Sequence, residues 1–248
     1  LLLERETELA QAASALRRAA EGAGSSLVVR GPLGVGRSTF LEAVAARAHG
    51  DGFLVLRAQA AVAEENFTLG VVRQLTDAVL ATAPADERGR GLREAAAAAC
   101  PVPPPVAGFV APWSTVTSQD APRRLTALLE SVASEQPVVV MVDDVQWSDS
   151  DSLLALAPSL ARRRRNRVLF VLSVLPGDIG GAREHVRQLL EPVDRTVELA
   201  ALGRASVSRL VEDVCGTPPH GAFIDALQQR SGGNPLLVMA LADEAQYQ

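Results

Sequence analysis

The segment Gly31-Pro32-Leu33-Gly34-Val35-Gly36-Arg37-Ser38-Thr39 constrains this chain more than any other. The apolar run Leu27-Val28-Val29 leads into it, and Phe40-Leu41-Glu42-Ala43-Val44-Ala45 leads out of it with helical spacing. A buried strand therefore turns into a helix across a loop rich in glycine. Glycine reaches backbone conformations that a Cβ hinders, so successive N–H groups can point inward at a helix start whose dipole favours anions. The pattern expected of a phosphate cradle is G-x-x-x-x-G-K-[ST]. Every position fits except one, because Arg37 stands where that pattern has lysine. The phosphate-binding candidates are Gly31, Pro32, Gly34, Val35, Gly36, Arg37, Ser38 and Thr39. The alternative reading is a strand-to-helix turn with no ligand.

The rest of the chain places this loop in an α/β frame. Apolar runs of strand length predict strands over 27–30, 53–57, 138–142, 168–174 and 197–199. Helical spacing predicts helices over 4–20, 38–49, 69–80, 123–134 and 182–190, with another from Ser150 to the arginines at 162–165. Continuous rather than alternating apolar runs belong to strands covered on both faces. Strands that alternate with helices then imply a parallel sheet layered by helices. Between Ala83 and Asp120 the pattern dissolves into Pro84, Gly89, Gly91 and Pro101-Val102-Pro103-Pro104-Pro105. Propensity supports a helix over 93–99, which the prolines must end, leaving an extended connection. Beyond Leu202 the pattern is wholly helical, over 204–214, 223–229 and from Pro235 onward. We divide the chain into an α/β unit over 1–202, with 83–120 as a variable connection, and the start of a helical subdomain over 203–248. The absence of an initial methionine and the end at Gln248 suggest an excerpt of a longer protein.

A second motif gives the loop its chemistry. The apolar strand Val138–Val142 ends in Asp143-Asp144. A glycine loop after one strand and paired acids at the end of another match the division of labour in nucleoside triphosphate hydrolysis. In that division loop amides would hold phosphates, Ser38 or its neighbour Thr39 would ligate Mg²⁺, Asp143 would hold the metal's water shell, and Asp144 would orient or deprotonate a water. The alternative for the two acids is a pair at a helix N-terminus.

The longer stretch Asp143-Asp144-Val145-Gln146-Trp147-Ser148-Asp149-Ser150-Asp151-Ser152-Leu153 resembles the Walker B segment of the large ATP-binding regulators of the LuxR family, D-D-x-[HQ]-W-x-D-x-x-S-L. Arg5-Glu6-Thr7-Glu8-Leu9, Glu65-Asn66-Phe67-Thr68-Leu69-Gly70 and Ser231-Gly232-Gly233-Asn234-Pro235-Leu236 resemble further segments of the same family. The likeness spans nearly the whole chain and is weakest over 83–120. It implies a P-loop NTPase of the AAA-like, STAND class with a five-stranded parallel sheet and a small helical subdomain. It also implies ATP or ADP with Mg²⁺ as ligands, self-association or contact with other domains of the same chain, and a C-terminal helix-turn-helix, absent here, for DNA. From the family's adenine pocket it adds Arg5 and Pro235 as binding candidates.

Two residues depart from that family. Arg37 replaces the loop lysine, and Leu175 stands where the family usually has an arginine that senses the terminal phosphate. A planar guanidinium fork reaches phosphate differently from a compact ammonium, so the exchange matters in a tight cradle. The expectation is nucleotide binding with slow or absent hydrolysis. A working ATPase and a module that binds no nucleotide are the alternatives. Arg37 also belongs to a general drift, since all 24 basic residues are arginine.

Composition removes other classes. A net charge of −5 gives no basic nucleic-acid face over the chain, and no apolar run approaches the roughly 20 residues that span a bilayer. Cys100 and Cys215 lack metal-ligand spacing, which fits thiols in a reducing compartment and makes the cytoplasm the expected location. The arginines at 162–167 read as a solvated helix end. Trp147 reads as a packing anchor rather than a base-stacking surface.

Overall fold

The computed structural model describes residues 2–64, 67–99, 120–177, 183–216 and 218–246. The Pro101–Pro105 cluster, Cys100 and the Glu65-Asn66 pair lie outside the described residues. Among those described, five strands form one parallel sheet: β1 (Ser25–Arg30), β2 (Leu54–Gln59), β3 (Val138–Asp143), β4 (Val168–Val174) and β5 (Arg195–Glu198). Their order is β2-β3-β4-β1-β5, so β4 sits between the strand that precedes the glycine loop and the strand that ends in the acids. All strands run the same way, with Arg30 opposite Val174 and Gln59 opposite Asp143. The glycine loop, the acids and the end of β4 therefore meet along one edge.

Helices cover both faces. One face of β3, Val138, Val140 and Val142, packs with Leu56, Phe170 and Leu172 against α3 (Gly70–Thr82), α5 (Ala121–Glu135), α6 (Ser150–Arg162) and α7 (Arg183–Leu190). The other face, Val139 and Met141, packs with Leu27, Val29, Leu169 and Val171 against α1 (Glu6–Ala20) and α2 (Arg37–Gly50). The three inner strands β1, β3 and β4 are covered on both faces and do not alternate, whereas the edge strands β2 and β5 alternate toward their ends, with Arg57, Gln59, Thr196 and Glu198 exposed. A third, separate core joins Leu3 and Leu202 to Val207, Leu210, Val211, Ile224, Leu227 and Val238. It is built by α8 (Arg204–Cys215), α9 (Gly221–Ser231) and α10 (Pro235–Gln246).

Element boundaries differ where backbone pairing outlasts the apolar pattern. The second strand runs to Gln59 rather than Arg57, because Ala58 and Gln59 stay paired with Val142 and Asp143 of β3, and the Gln74 side chain covers its outer edge by accepting from Gln59 N (2.8 Å) and donating to its carbonyl (3.0 Å). The fifth strand begins at Arg195, earlier than the apolar residues suggest, through its pairing with β1 at Leu27. The helix expected over 93–99 is longer, α4 (Glu87–Ala99), and runs through Gly89 and Gly91. Asp86 accepts from Gly89 N at 3.0 Å in its first turn, and a Cβ on Gly89 would lie 1.6 Å from the Pro84 carbonyl oxygen. Here glycine is needed for close approach, and helix propensity alone does not see it.

The arginine cluster also needs correction. Arg163 is not solvated but 3% exposed, and its Nε donates to Asp194 Oδ2 at 2.8 Å. It donates as well to the carbonyls of Leu160 and Pro192. Asp194 accepts further bonds from Arg164 and from the Ser26 N and Oγ, which ties the start of β1 to the segment before β5. Burial pushes the Asp194 carboxyl up, but the bonds from Arg163, Arg164 and Ser26 outweigh it and hold the group well below the usual carboxylate range. No helix among the described residues is long and apolar enough to cross a membrane.

Candidate functional site

The glycine loop leaves β1 and closes onto the first turn of α2. Gly34 and Gly36 have φ of +79° and +98°, left-handed values that a Cβ would strain. Gly36 is the N-cap, and no side chain caps the helix. Among the described residues the amides of Gly36, Arg37, Ser38 and Thr39 donate to no turn or loop carbonyl, as the geometry of a helix start requires. Ser38 and Thr39 are exposed at this turn. The loop thus offers unmet N–H donors at a positive helix end, which suits an anion such as phosphate.

Arg37 does not extend from the loop toward solvent. It is 7% exposed, and its Nη1 lies 2.8 Å from Asp144 Oδ1. No N–H of Nη1 is aligned on an acceptor, so the contact is an ion pair rather than a directed hydrogen bond. Asp144 is itself held from several sides. Its φ is +53°, its N–H donates to Ser173 Oγ at 2.8 Å, and its Oδ1 accepts from Gln146 Nε2 at 3.0 Å. Ser173 in turn donates to Asp143 Oδ1. Gln146, 1% exposed, accepts the Leu175 N–H at 3.2 Å through Oε1. Gln146 and Ser173 thereby connect both acids to the end of β4, roles that the sequence reading missed. The placement of Gln146 within the Asp143–Leu153 motif was the available signal.

Asp149 of the same motif acts away from the loop. Its Oδ1 caps α6 by accepting Ser152 N (2.8 Å) and also accepts Leu69 N (2.9 Å), while Oδ2 accepts Gly70 N (3.0 Å). It therefore anchors the start of α3. Trp147 is partly buried against the adjoining core.

The helical segment reaches the glycine loop directly. Asn234 Nδ2 donates to the Leu33 carbonyl at 2.7 Å, and Leu236 N donates to the Gly34 carbonyl at 3.2 Å. A Cβ on Gly34 would lie 2.6 Å from Leu236 Cβ and 2.7 Å from Asn234 Oδ1. The turn before α10 is thus packed on the loop, and Pro235 is the first residue of that helix. Arg5 is buried and donates to the carbonyls of Glu4 (3.0 Å) and Ala200. It fastens the N-terminal segment to the chain just beyond β5.

Residues 1–172 match the AAA ATPase domain family. The chain belongs to that family. This AAA ATPase domain also resembles solved structures over nearly its whole length. The ORC2 protein of Aeropyrum pernix, solved as ADPNP–ADP complexes, is 18% identical with a TM-score of 0.58, covering 96% of this chain and 60% of that one. Cdc6p of Pyrobaculum aerophilum is 11% identical with a TM-score of 0.61, covering 100% of this chain and 63% of that one. A STAND protein with a tetratricopeptide repeat sensor from Pyrococcus horikoshii is 16% identical with a TM-score of 0.50, covering 96% of this chain and 29% of that one. At such identities the likeness carries the fold. The chain spans less than two thirds of the length of each of these relatives. No curated protein matches it at a significant level.

Among the described residues no three His, Cys, Asp or Glu side chains cluster as a metal site. Ser38 and Asp143 could still serve a divalent cation together with phosphate oxygens, the arrangement in which Mg²⁺ takes few protein ligands and keeps its waters.

Proposed function

We propose that this AAA ATPase domain is the nucleotide-binding switch of a LuxR-type transcriptional regulator, holding ATP or ADP with Mg²⁺ and hydrolysing slowly or not at all. The observation that carries the reading is the convergence on one sheet edge of the uncapped loop, the Asp143–Ser173–Asp144 network and the Asn234 turn. Gly31 to Thr39 would bind the phosphates, Ser38 and Asp143 would share the cation, and Arg5 and Pro235 would border the base. A bound nucleoside triphosphate with Mg²⁺ would supply a transferable phosphoryl group, and Asp144 would orient a water. The slow-hydrolysis half rests on Arg37, whose guanidinium sits on that acid, and on Leu175, whose apolar side chain offers no charge to a terminal phosphate.

Residues 1–202 form the nucleotide-binding unit and residues 203–248 begin the helical lid. The bond from Asn234 to the loop gives the lid a means of responding to what the loop holds. The LuxR assignment is supported by the Asp143–Leu153 motif, in which Gln146 and Asp149 have definite structural tasks. In that setting the switch acts through self-association or through other domains of the same chain, with DNA contacted elsewhere. The relatives support the ligand class, since the ORC2 protein was solved with ADPNP and ADP.

Calorimetric titration with ATP and ADP, together with phosphate release by the unmodified protein and Arg37→Lys, tests both halves. The expected result is binding of both nucleotides, little release by the unmodified chain and faster release by Arg37→Lys. Rapid turnover by the unmodified chain overturns slow hydrolysis, and failure to bind either nucleotide overturns the switch.

A further inference from the structure

We infer that the Asp144 carboxylate is a built-in competitor of nucleotide phosphate for Arg37, so that the affinity of the site is set by exchange of one guanidinium between an internal and an external anion. The inference rests on the nucleotide-binding reading and deepens it. A guanidinium that is 7% exposed needs a counter-anion, because an isolated buried charge is costly. Among the described residues the ion pair recorded for Arg37 is with Asp144, at 2.8 Å. The pairing is geometrically incomplete: Nη1 is buried and makes no aligned hydrogen bond. Arginine presents five N–H donors in a rigid fork that suits phosphate oxygens in a bidentate way. The contact with Asp144 thus neutralises charge without using the fork well, and a phosphate at the adjacent loop amides would offer Arg37 a better-aligned partner.

Asp144 is held where Arg37 meets it. Its left-handed backbone, the bond from its N–H to Ser173 Oγ and the bond from Gln146 Nε2 to its Oδ1 all resist movement with the departing arginine. Gln146 is fixed at its other end by the Leu175 N–H. When phosphate captures Arg37, Asp144 keeps Gln146 and regains one free acceptor direction on Oδ1. That one oxygen meets both Arg37 and Gln146, so the two side chains share a single acceptor.

The test is a double-mutant cycle on binding: the unmodified protein, Asp144→Asn, Arg37→Gln and the double variant, titrated with ATP, ADP and AMP in EDTA and again with Mg²⁺. Asn keeps the volume and an acceptor for Gln146 while removing the competing charge. Asp144→Asn is expected to bind ATP about fivefold more tightly in EDTA, the upper scale of one such ion pair. In the Arg37→Gln background the same substitution should change affinity less than about twofold, and AMP should respond little in either background. Unchanged or weaker ATP binding by Asp144→Asn in EDTA overturns the inference. An equal gain in the Arg37→Gln background also overturns it, because simple relief of repulsion between Asp144 and phosphate would then account for the effect. Binding by all variants without coupling removes the competition and leaves the nucleotide-binding reading intact, whereas binding by none removes both. If Asp144→Asn does not fold, judged by circular dichroism, Asp144→Ser completes the cycle with the same outcomes.

Discussion

Asn234 joins the helical segment to the glycine loop, and its replacement separates two effects that the structure superimposes. The side-chain Oδ1 accepts Leu236 N at 3.1 Å and Leu237 N at 3.4 Å, which caps α10, while Nδ2 donates to the Leu33 carbonyl at 2.7 Å. Removing an Asn cap costs about 1 kcal/mol. Removing the bond to Leu33 costs about another 1 kcal/mol, since the carbonyl can be hydrated where the loop is exposed. Asn234→Ala should therefore lose about 2 kcal/mol. Asn234→Ser, which keeps a cap acceptor but cannot reach Leu33 as a donor, should lose about 1 kcal/mol. Urea denaturation followed by circular dichroism measures both losses. Amide hydrogen exchange locates them: both variants should exchange faster at Gly34 to Thr39, and Asn234→Ala alone at the start of α10. If Asn234→Ser matches the unmodified protein in urea midpoint and in loop exchange, the tether does not constrain the loop and the proposed link to the lid loses its physical basis.

Two other substitutions test what positions the site. Asp194→Asn leaves Arg163, 3% exposed, without its carboxylate and should cost about 3 kcal/mol in urea, because a buried cation loses its partner. Because folding lowers the Asp194 pKa, its contribution is fully present above the unfolded carboxylate range, near pH 4, and disappears as pH falls through the lower folded value. Stability of the unmodified protein should therefore fall on acidification below about pH 5, and a pH series of urea midpoints should show a shallower fall in Asp194→Asn. Asp149→Ala strands the N–H groups of Leu69 and Ser152, whereas Gly70 N keeps the Phe67 carbonyl at 3.0 Å, and the loss should cost about 2–3 kcal/mol. Its signature is faster exchange at the start of α3 and α6 with the glycine loop unaffected. Loss of protection across the whole sheet instead would show that Asp149 is not a local anchor.

How much of this was legible in the chain varies by element. The strand at Val138–Asp143 was read almost to the residue, because a strand covered on both faces needs a continuous apolar run and the acids mark its exit from the core. Helix α6 was equally plain, with its start at Ser150 behind an Asp cap. Helix α4 was read too short, because propensity penalises glycine and does not see that the turn before the helix brings the Pro84 carbonyl against Gly89, where a Cβ would clash. The arginines at 162–167 looked alike in sequence. Arg163 alone among them is buried: Arg164 also reaches Asp194 but from solvent, whereas Arg163 spends its fork on Asp194 and on the carbonyls of Leu160 and Pro192.

The glycine loop and the acid pair were both set by sequence, because backbone freedom and the ends of apolar runs are local properties. Their meeting was not, since it depends on β4 entering the sheet between β1 and β3, a choice made by packing of the faces. The orientation of Arg37 was also beyond the sequence. One letter showed that a lysine was missing, but a guanidinium turns toward whichever anion the fold brings within reach, and here the tertiary structure brought Asp144.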